Sequence, residues 1–354
     1  MEIFRELAVD KHEQVVFCSD GVSGLRSMIA VHDTTLGPAI GGVRMYPYAS
    51  EEDALKDVLL LSKAMTYKAA ACGVNLGGGQ GVIVGDPNKD KTEILLRAFG
   101  RFVNGLNGRY ITAEDLGTTV EDMEIVRYET RFVAGLSRAV GGGGDPGPVS
   151  AIGVYYGMLA CVEKVFRDRD FSRRSIVIQG LGNVGYSLAQ RLSGEGAKLF
   201  VTDVIVSKVK QATEEFKAEA IDPEQVLEVE ADIFCPCALG GVISRKNIDR
   251  IKAKIIAGAA NNQLEDDQLG DLLQEKSILY APDFVIGAGG LINVVNELEG
   301  YNQERALKQA SGIYDMLVRI LKKAESESIS TLEAANRLAQ ERILQAKRFK
   351  QGHI

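Results

Sequence analysis

Residues 175–203 read SIVIQGLGNVGYSLAQRLSGEGAKLFVTD, and this stretch decides the fold. Ile176-Val177-Ile178 is a short apolar run of the kind that forms a buried strand. Gly180-Leu181-Gly182-Asn183-Val184-Gly185 follows without a gap, and Val184, Leu188 and Leu192 then recur at helical spacing. Gly194 and Gly196 end the helix, and a second apolar strand, Leu199-Phe200-Val201, leads to Asp203. Strand, glycine turn, helix, strand and acid is the order of a dinucleotide-binding unit. Gly180 permits the tight turn, Gly182 lets backbone approach a pyrophosphate, and Gly185 lets helix and strand pack closely. The helix N-terminus offers unpaired N–H groups and the positive end of its dipole to phosphates. Asp203 can accept hydrogen bonds from a ribose diol and would repel a 2′-phosphate. No arginine follows it closely, so the reading is NAD rather than NADP.

Working outward, the length of 354 residues predicts two domains. A net charge of -7 without a basic run argues against nucleic acid as a partner. No apolar stretch is expected to span a membrane. The charged start, MEIFRELAVDKHEQ, has no apolar core of a signal peptide, which points to the cytoplasm. Cys18, Cys72, Cys161, Cys235 and Cys237 are scattered; Cys235-Pro236-Cys237 has the wrong spacing for a zinc knuckle or a CxxC redox pair, so reduced thiols are expected. With only His12, His32 and His353, neither a metal site nor a histidine triad has material, and any general base should be a lysine or a carboxylate.

Along the chain, 14–18 and 27–32 read as strands split by a turn at 19–21. Gly41-Gly42 offers adjacent backbone N–H groups to an anion, or is a plain bend. Ser50, Thr92 and Thr119 start helices, and Lys68 sits in a mostly apolar helical stretch. Asn75 to Pro87 reads as a glycine loop around Gln80 that brings backbone very close to something, followed by a strand. A strand from Arg109 ends on Glu114-Asp115, a usual place for site residues. Gly141 to Pro148, GGGGDPGP, reads as a linker. Ser150 is expected to cap the helix that follows it. Beyond Asp203, short apolar strands alternate with helices, the rhythm of a doubly wound parallel sheet. The expected fold is therefore α/β with two domains. The N-terminal substrate and oligomerisation domain covers 1–140 and is completed by a C-terminal helix at about 330–354; the Rossmann domain covers 150–329. The helical tail from Gln303 is expected to fold back on the first domain.

Eight segments carry a resemblance over almost the full length: HDTTLGPAIGGVR at 32–44, MTYK at 65–68, NLGGG at 75–79, NGRYITAED at 107–115, QGLGNVG at 179–185, CALGG at 237–241, AANNQL at 259–264 and AGGLINV at 288–294. The chain resembles the leucine, valine and phenylalanine dehydrogenases, relatives of glutamate dehydrogenase, with the leucine-acting branch nearest. The resemblance implies a cleft that closes on substrate, NAD-dependent oxidative deamination of a branched-chain L-amino acid to a 2-oxo acid and ammonia, and a homo-oligomer, octamer or dimer. It implies that Lys68 binds the substrate carboxylate with backbone at Gly41 and Gly42. Asp115 would handle protons at the substrate nitrogen. Ile40, Ala113, Leu291 and Val294 would line an apolar side-chain pocket, with Asn293 beside it. Ser150, Gly180, Leu181, Gly182, Asn183, Val184, Gly185, Asp203, Ala238 and Asn262 would hold NAD. One departure matters. The family's general-base lysine falls on Gln80, and an amide has no titratable proton near neutral pH. Three explanations stand side by side: a chain altered to trap substrate, a natural relative that binds but barely turns over, or slower chemistry carried by Lys68 and Asp115; the alternative function is a catalytically silent binding protein for amino acid and NAD.

Overall fold

The computed structural model describes residues 3–238 and 240–351. The chain divides into two compact units. One comprises the described parts of Met1–Gly144, Val294–Asn302 and Ala339–Ile354; the other comprises Asp145–Asn293 and Gln303–Leu338. The tail is thus shared: Gln303–Leu338 belongs to the second unit, and only the stretch from Ala339 belongs to the first.

The first unit is built on a five-stranded sheet of β1 (Gln14–Asp20), β2 (Leu25–Asp33), β3 (Ala39–Tyr46), β4 (Gly77–Val84) and β5 (Tyr110–Glu114), in the order β1-β2-β4-β3-β5. β1 and β2 form an antiparallel hairpin, β2 and β4 are antiparallel, and β3 runs parallel to both β4 and β5. The glycine run expected as a loop is strand β4 itself. Side chains alternate across a strand, so Gly79 and Gly81 face the core of Phe99, Tyr110, Leu95, Leu96 and Met123, while Val82 faces Ala54, Leu55 and Val58 of helix Glu51–Ala71. That helix lies against β4 at backbone distance: a Cβ on Gly78 would stand 2.1 Å from Thr66 N. Gly41 and Gly42 likewise lie inside β3 rather than in a bend. Helices Glu51–Ala71, Glu93–Gly105 and Val120–Arg127 begin at Ser50, Thr92 and Thr119, whose side chains accept backbone N–H bonds; Thr119 and Asp122 close a full capping box.

The second unit carries a parallel sheet of β6 (Ser175–Gln179), β7 (Lys198–Thr202), β8 (Glu219–Ala220), β9 (Ile233–Pro236), β10 (Ile255–Ile256) and β11 (Leu279–Tyr280), in the order β8-β7-β6-β9-β10-β11. The chain winds outward from β6, then returns to start again at β9. The ends of β6 and β9 form the crevice where such sheets take their ligands. Helix Gly147–Phe166 corrects two expectations. It starts before Ser150, at Gly147, with Pro148 in the first turn, where a missing N–H costs nothing. It is also long and apolar enough to cross a membrane by length and composition, but it is a core helix here: most of that apolar window is buried, and Gly153 and Gly157 face Ile313 and Ile286.

Candidate active site

In the first unit, the parallel strands bring Gln80 and Asp115 together. Gln80 is 3% exposed on β4, and its Nε2 donates to Asp115 Oδ2 at 2.9 Å. Asp115 follows β5 directly; Thr118 Oγ1 accepts its backbone N–H at 2.9 Å and donates to Val43 O at 2.8 Å. Gly42 lies opposite Ala113 in the β3–β5 register, and a Cβ there would stand 2.6 Å from Asp115 Cβ. Glycine at 42 is therefore what lets the acid lean over β3. Arg44, which the sequence reading passed over, donates from Nε to the same Asp115 oxygen at 3.1 Å and from its other arm to Asp57 at 3.1 Å. Tyr48 also donates to Asp57. Asp115 thus has one oxygen fixed by two donors, one of them permanently cationic.

Lys68 lies in the last turn of helix Glu51–Ala71, half-buried. The end of that helix is held by Arg342, whose guanidinium donates to the carbonyls of Ala69, Ala70, Gly73 and Val74 and to Asn75 Oδ1. Ile40 and Ala113 are buried on β3 and β5. Glu297 accepts backbone N–H groups from Gly135, Leu136 and Gly143, which fastens the glycine-rich stretch down. Burial pushes the carboxyls of Glu297 and Glu114 up from the usual range, and Glu114 Oε2 has no partner among the described residues. His32 is a core histidine: burial lowers it to about 4, and its ring nitrogens lie 2.8 Å from Thr66 Oγ1 and 3.0 Å from Asp10 O.

In the second unit, the three glycines after β6 occupy three different environments. Gly180 has φ +99. A Cβ on Gly185 would stand 2.0 Å from Gly180 O, whereas one on Gly182 would meet nothing within 4 Å. Gly182 is the N-cap of helix Asn183–Gly194, and no side chain caps that end. The N–H groups of the first turn, at Asn183, Val184 and Gly185, thus take no side-chain cap, a fit for a pyrophosphate. Asp203 Oδ2 accepts Leu181 N–H at 2.6 Å and Oδ1 accepts Ile205 N–H at 2.8 Å, so the acid is locked to the glycine turn. The loop after β9 meets the same turn, with Ala238 Cβ 3.0 Å from where a Gly180 Cβ would be. Asn262, at φ 51, accepts Gly241 N–H through its carbonyl at 2.7 Å. Gly147 abuts Asn183, and Ser150 abuts Gly289. The cofactor candidates therefore gather at the ends of β6, β7, β9 and β10. Leu291 and Asn293 are buried on helix Gly289–Glu297, which also carries Val294. Cys235 and Cys237 have sulfurs 3.4 Å apart, and all five cysteines are free thiols. No metal-holding cluster occurs among the described residues.

Fold and sites define a two-domain α/β protein with a Rossmann-type sheet of the amino-acid dehydrogenase kind. Comparison with known proteins makes this specific. Residues 12–132 match the Glu/Leu/Phe/Val dehydrogenase dimerisation domain, and 201–352 match the glutamate/leucine/phenylalanine/valine dehydrogenase domain. Leucine dehydrogenase of Bacillus cereus is 52% identical over 100% of this chain and 97% of its own length. Phenylalanine dehydrogenase of Lysinibacillus sphaericus is 48% identical over 97% of this chain and 91% of its own. The crystal structure of L-tryptophan dehydrogenase from Nostoc punctiforme superposes with a TM-score of 0.88 at 44% identity, covering 98% of this chain and 99% of that one. The chain belongs to the glutamate/leucine/phenylalanine/valine dehydrogenase family.

Proposed function

We propose that this protein is an NAD-linked dehydrogenase of branched-chain L-amino acids, leucine above all, whose chemical step is slowed by Gln80. The observation that carries the reading is the Gln80–Asp115 pair in a chain so close to leucine dehydrogenases. The turn at Gly180, Gly182 and Gly185 with Asp203 would hold NAD, which would supply the hydride acceptor. Lys68 and the backbone at Gly41 and Gly42 take the substrate carboxylate. Asp115, held by Arg44 and Gln80, exchanges protons with the substrate nitrogen. The amide of Gln80 can hold the attacking water or the developing carbonyl oxygen, but it cannot remove a proton. Ile40, Ala113, Leu291 and Val294, the residues proposed for the substrate side chain, are all apolar and offer no charge to a glutamate side chain. Leucine, isoleucine and valine should precede phenylalanine, and all should precede glutamate, with steps of about 10–200-fold for methylene-scale differences. The enzyme is expected to be cytoplasmic and to work as a homo-oligomer, octamer or dimer, which light scattering reads directly.

NADH formation over a panel of L-amino acids, on this chain and on Gln80→Lys, tests the reading. Gln80→Lys should raise kcat with leucine by about 10²-fold or more and leave KM nearly unchanged, the pattern of a group acting in the transition state. Its activity should climb with pH as the new lysine loses its proton. An unchanged kcat would give the proton steps to Lys68 and Asp115. The second reading, a silent binding protein for amino acid and NAD, is favoured by the same Gln80. It stands if the parent binds leucine and NADH yet forms no product over hours.

A further inference from the structure

The β3–β4 ladder is interrupted beside the candidate substrate site. Pairing runs from Ala39↔Gly77 to Ile40↔Gly78, skips Gly41 and Gly42, and resumes at Val43↔Gly81, while β3 stays paired to β5 through the same residues. The hydroxyl of Tyr110 sits at the break. It lies 2.8 Å from Gly42 O, 3.1 Å from Gly41 O and 3.2 Å from Thr112 Oγ1. Tyr110 is fully buried, and its ring occupies the space that a side chain at Gly79 would need, 2.7 Å from a Cβ there.

In a regular strand, successive carbonyls point to opposite neighbours. Here two successive carbonyls of β3 converge on one hydroxyl. The interruption of the ladder falls at Gly41-Gly42 and Gly79-Gln80, the two steps that carry the proposed carboxylate-binding backbone and Gln80.

We propose that Tyr110 is a positioning residue for substrate. Its hydroxyl anchors the Gly41 and Gly42 carbonyls and so presets their peptides to receive the amino-acid carboxylate. This deepens the dehydrogenase reading and rests on it. The group acts through backbone and touches no reacting atom.

Tyr110→Phe removes one oxygen and keeps the ring. Leucine and 4-methyl-2-oxopentanoate should each bind about tenfold more weakly, the scale of one well-placed hydrogen bond. The KM for ammonia and the affinity for NADH should stay as they are, and kcat should change less than the KM for leucine. The Gly42 and Val43 amides, which share the two anchored peptide groups, should exchange faster with deuterium once the hydroxyl is gone. Oxo-acid affinity and exchange at Gly42 and Val43 both equal to the parent's would overturn the proposal. So would an equal loss across leucine, ammonia and NADH, which marks general damage. If the parent itself fails to bind the oxo acid, the dehydrogenase reading falls, and exchange at Gly42 and Val43 alone decides whether Tyr110 holds those peptides. Should Tyr110→Phe not fold, Thr112→Val, which removes the neighbouring hydroxyl, should show the same selective weakening to a smaller degree; no selective weakening there overturns the proposal.

Discussion

The candidate nucleotide site and the Gln80–Asp115 site are both made of glycines and a carboxylate, yet they are made differently. Gly180, Gly182, Gly185 and Asp203 come from one unbroken run of strand, turn, helix and strand, and Asp203 closes on Leu181 of the same run. Gly42, Gln80 and Asp115 come from three strands whose spatial order differs from their order in the chain, and they meet only after β3 is laid between β4 and β5. The first arrangement is local geometry within one run of chain. The second is a consequence of sheet order, and its glycines serve the protein's own backbone.

Substitutions at the glycines test that contrast most severely. A Cβ on Gly41 would lie 1.7 Å from Gly79 O, inside the backbone of the next strand. Gly41→Ala should abolish turnover and disrupt the first unit, seen as lost near-ultraviolet circular dichroism and protease sensitivity within residues 14–114. If Gly41→Ala kept full activity, the strand crowding would be wrong.

The pH dependence of stability should separate the units next. His12 and His32 lie in the first unit, and no histidine lies in the second. His32, held neutral with its value lowered to about 4 from 6.5, favours folding above the unfolded value. That contribution is lost as pH falls from about 6.5 to 4, by up to about 3 kcal/mol. Glu114 and Glu297, raised by burial, act with the opposite sign: they favour folding at lower pH and lose that favour as pH rises. The histidine's share is therefore read as the difference between the parent and His32→Gln in denaturant unfolding at pH 7 and pH 5. Parallel behaviour of the two proteins would show that His32 does not resist protonation.

Smaller effects are expected at the nucleotide site. Gly182→Ala places its methyl in open space, so the fold should survive unchanged while NADH affinity drops about tenfold, because the methyl enters the phosphate's approach. Unaltered affinity would move the pyrophosphate elsewhere. Smallest is Asp203→Asn. It keeps an acceptor for the turn but removes the charge, so the preference for NADH over NADPH in fluorescence titration should narrow by several-fold. A preference that did not narrow would take the discrimination away from Asp203.

What could be read from sequence follows the same division. The 175–203 unit, the capped helix starts at Ser50, Thr92 and Thr119, and the parallel second sheet were legible because each is fixed by neighbours in the chain. The glycine run at 77–81 read as a loop because low side-chain content ordinarily means loop. The close backbone of helix Glu51–Ala71 and the ring of Tyr110 make glycine the residue for a central strand there. Ser150 had the composition of a cap, but Gly147-Pro148 starts the helix first. Arg44, Tyr110, Glu297 and Arg342 gave no local signal at all. Their partners are other strands, a distant loop or a helix end, so only the assembled sheet shows what they hold.

Arg342 carries one more consequence. The helix bearing Lys68 is fastened at its end by a residue 273 positions downstream of Ala69, and Glu297 secures Gly135 from 162 positions away. During synthesis the first unit, although begun first, waits for nearly the whole chain to leave the ribosome before its last fastenings can form. The second unit's sheet, closed by Tyr280, is complete earlier. The proposed substrate-binding helix is thus among the last parts of the nascent protein to be fastened, and a ribosome that stops before residue 342 releases a chain whose second sheet is fully encoded and whose Lys68 helix has no lock.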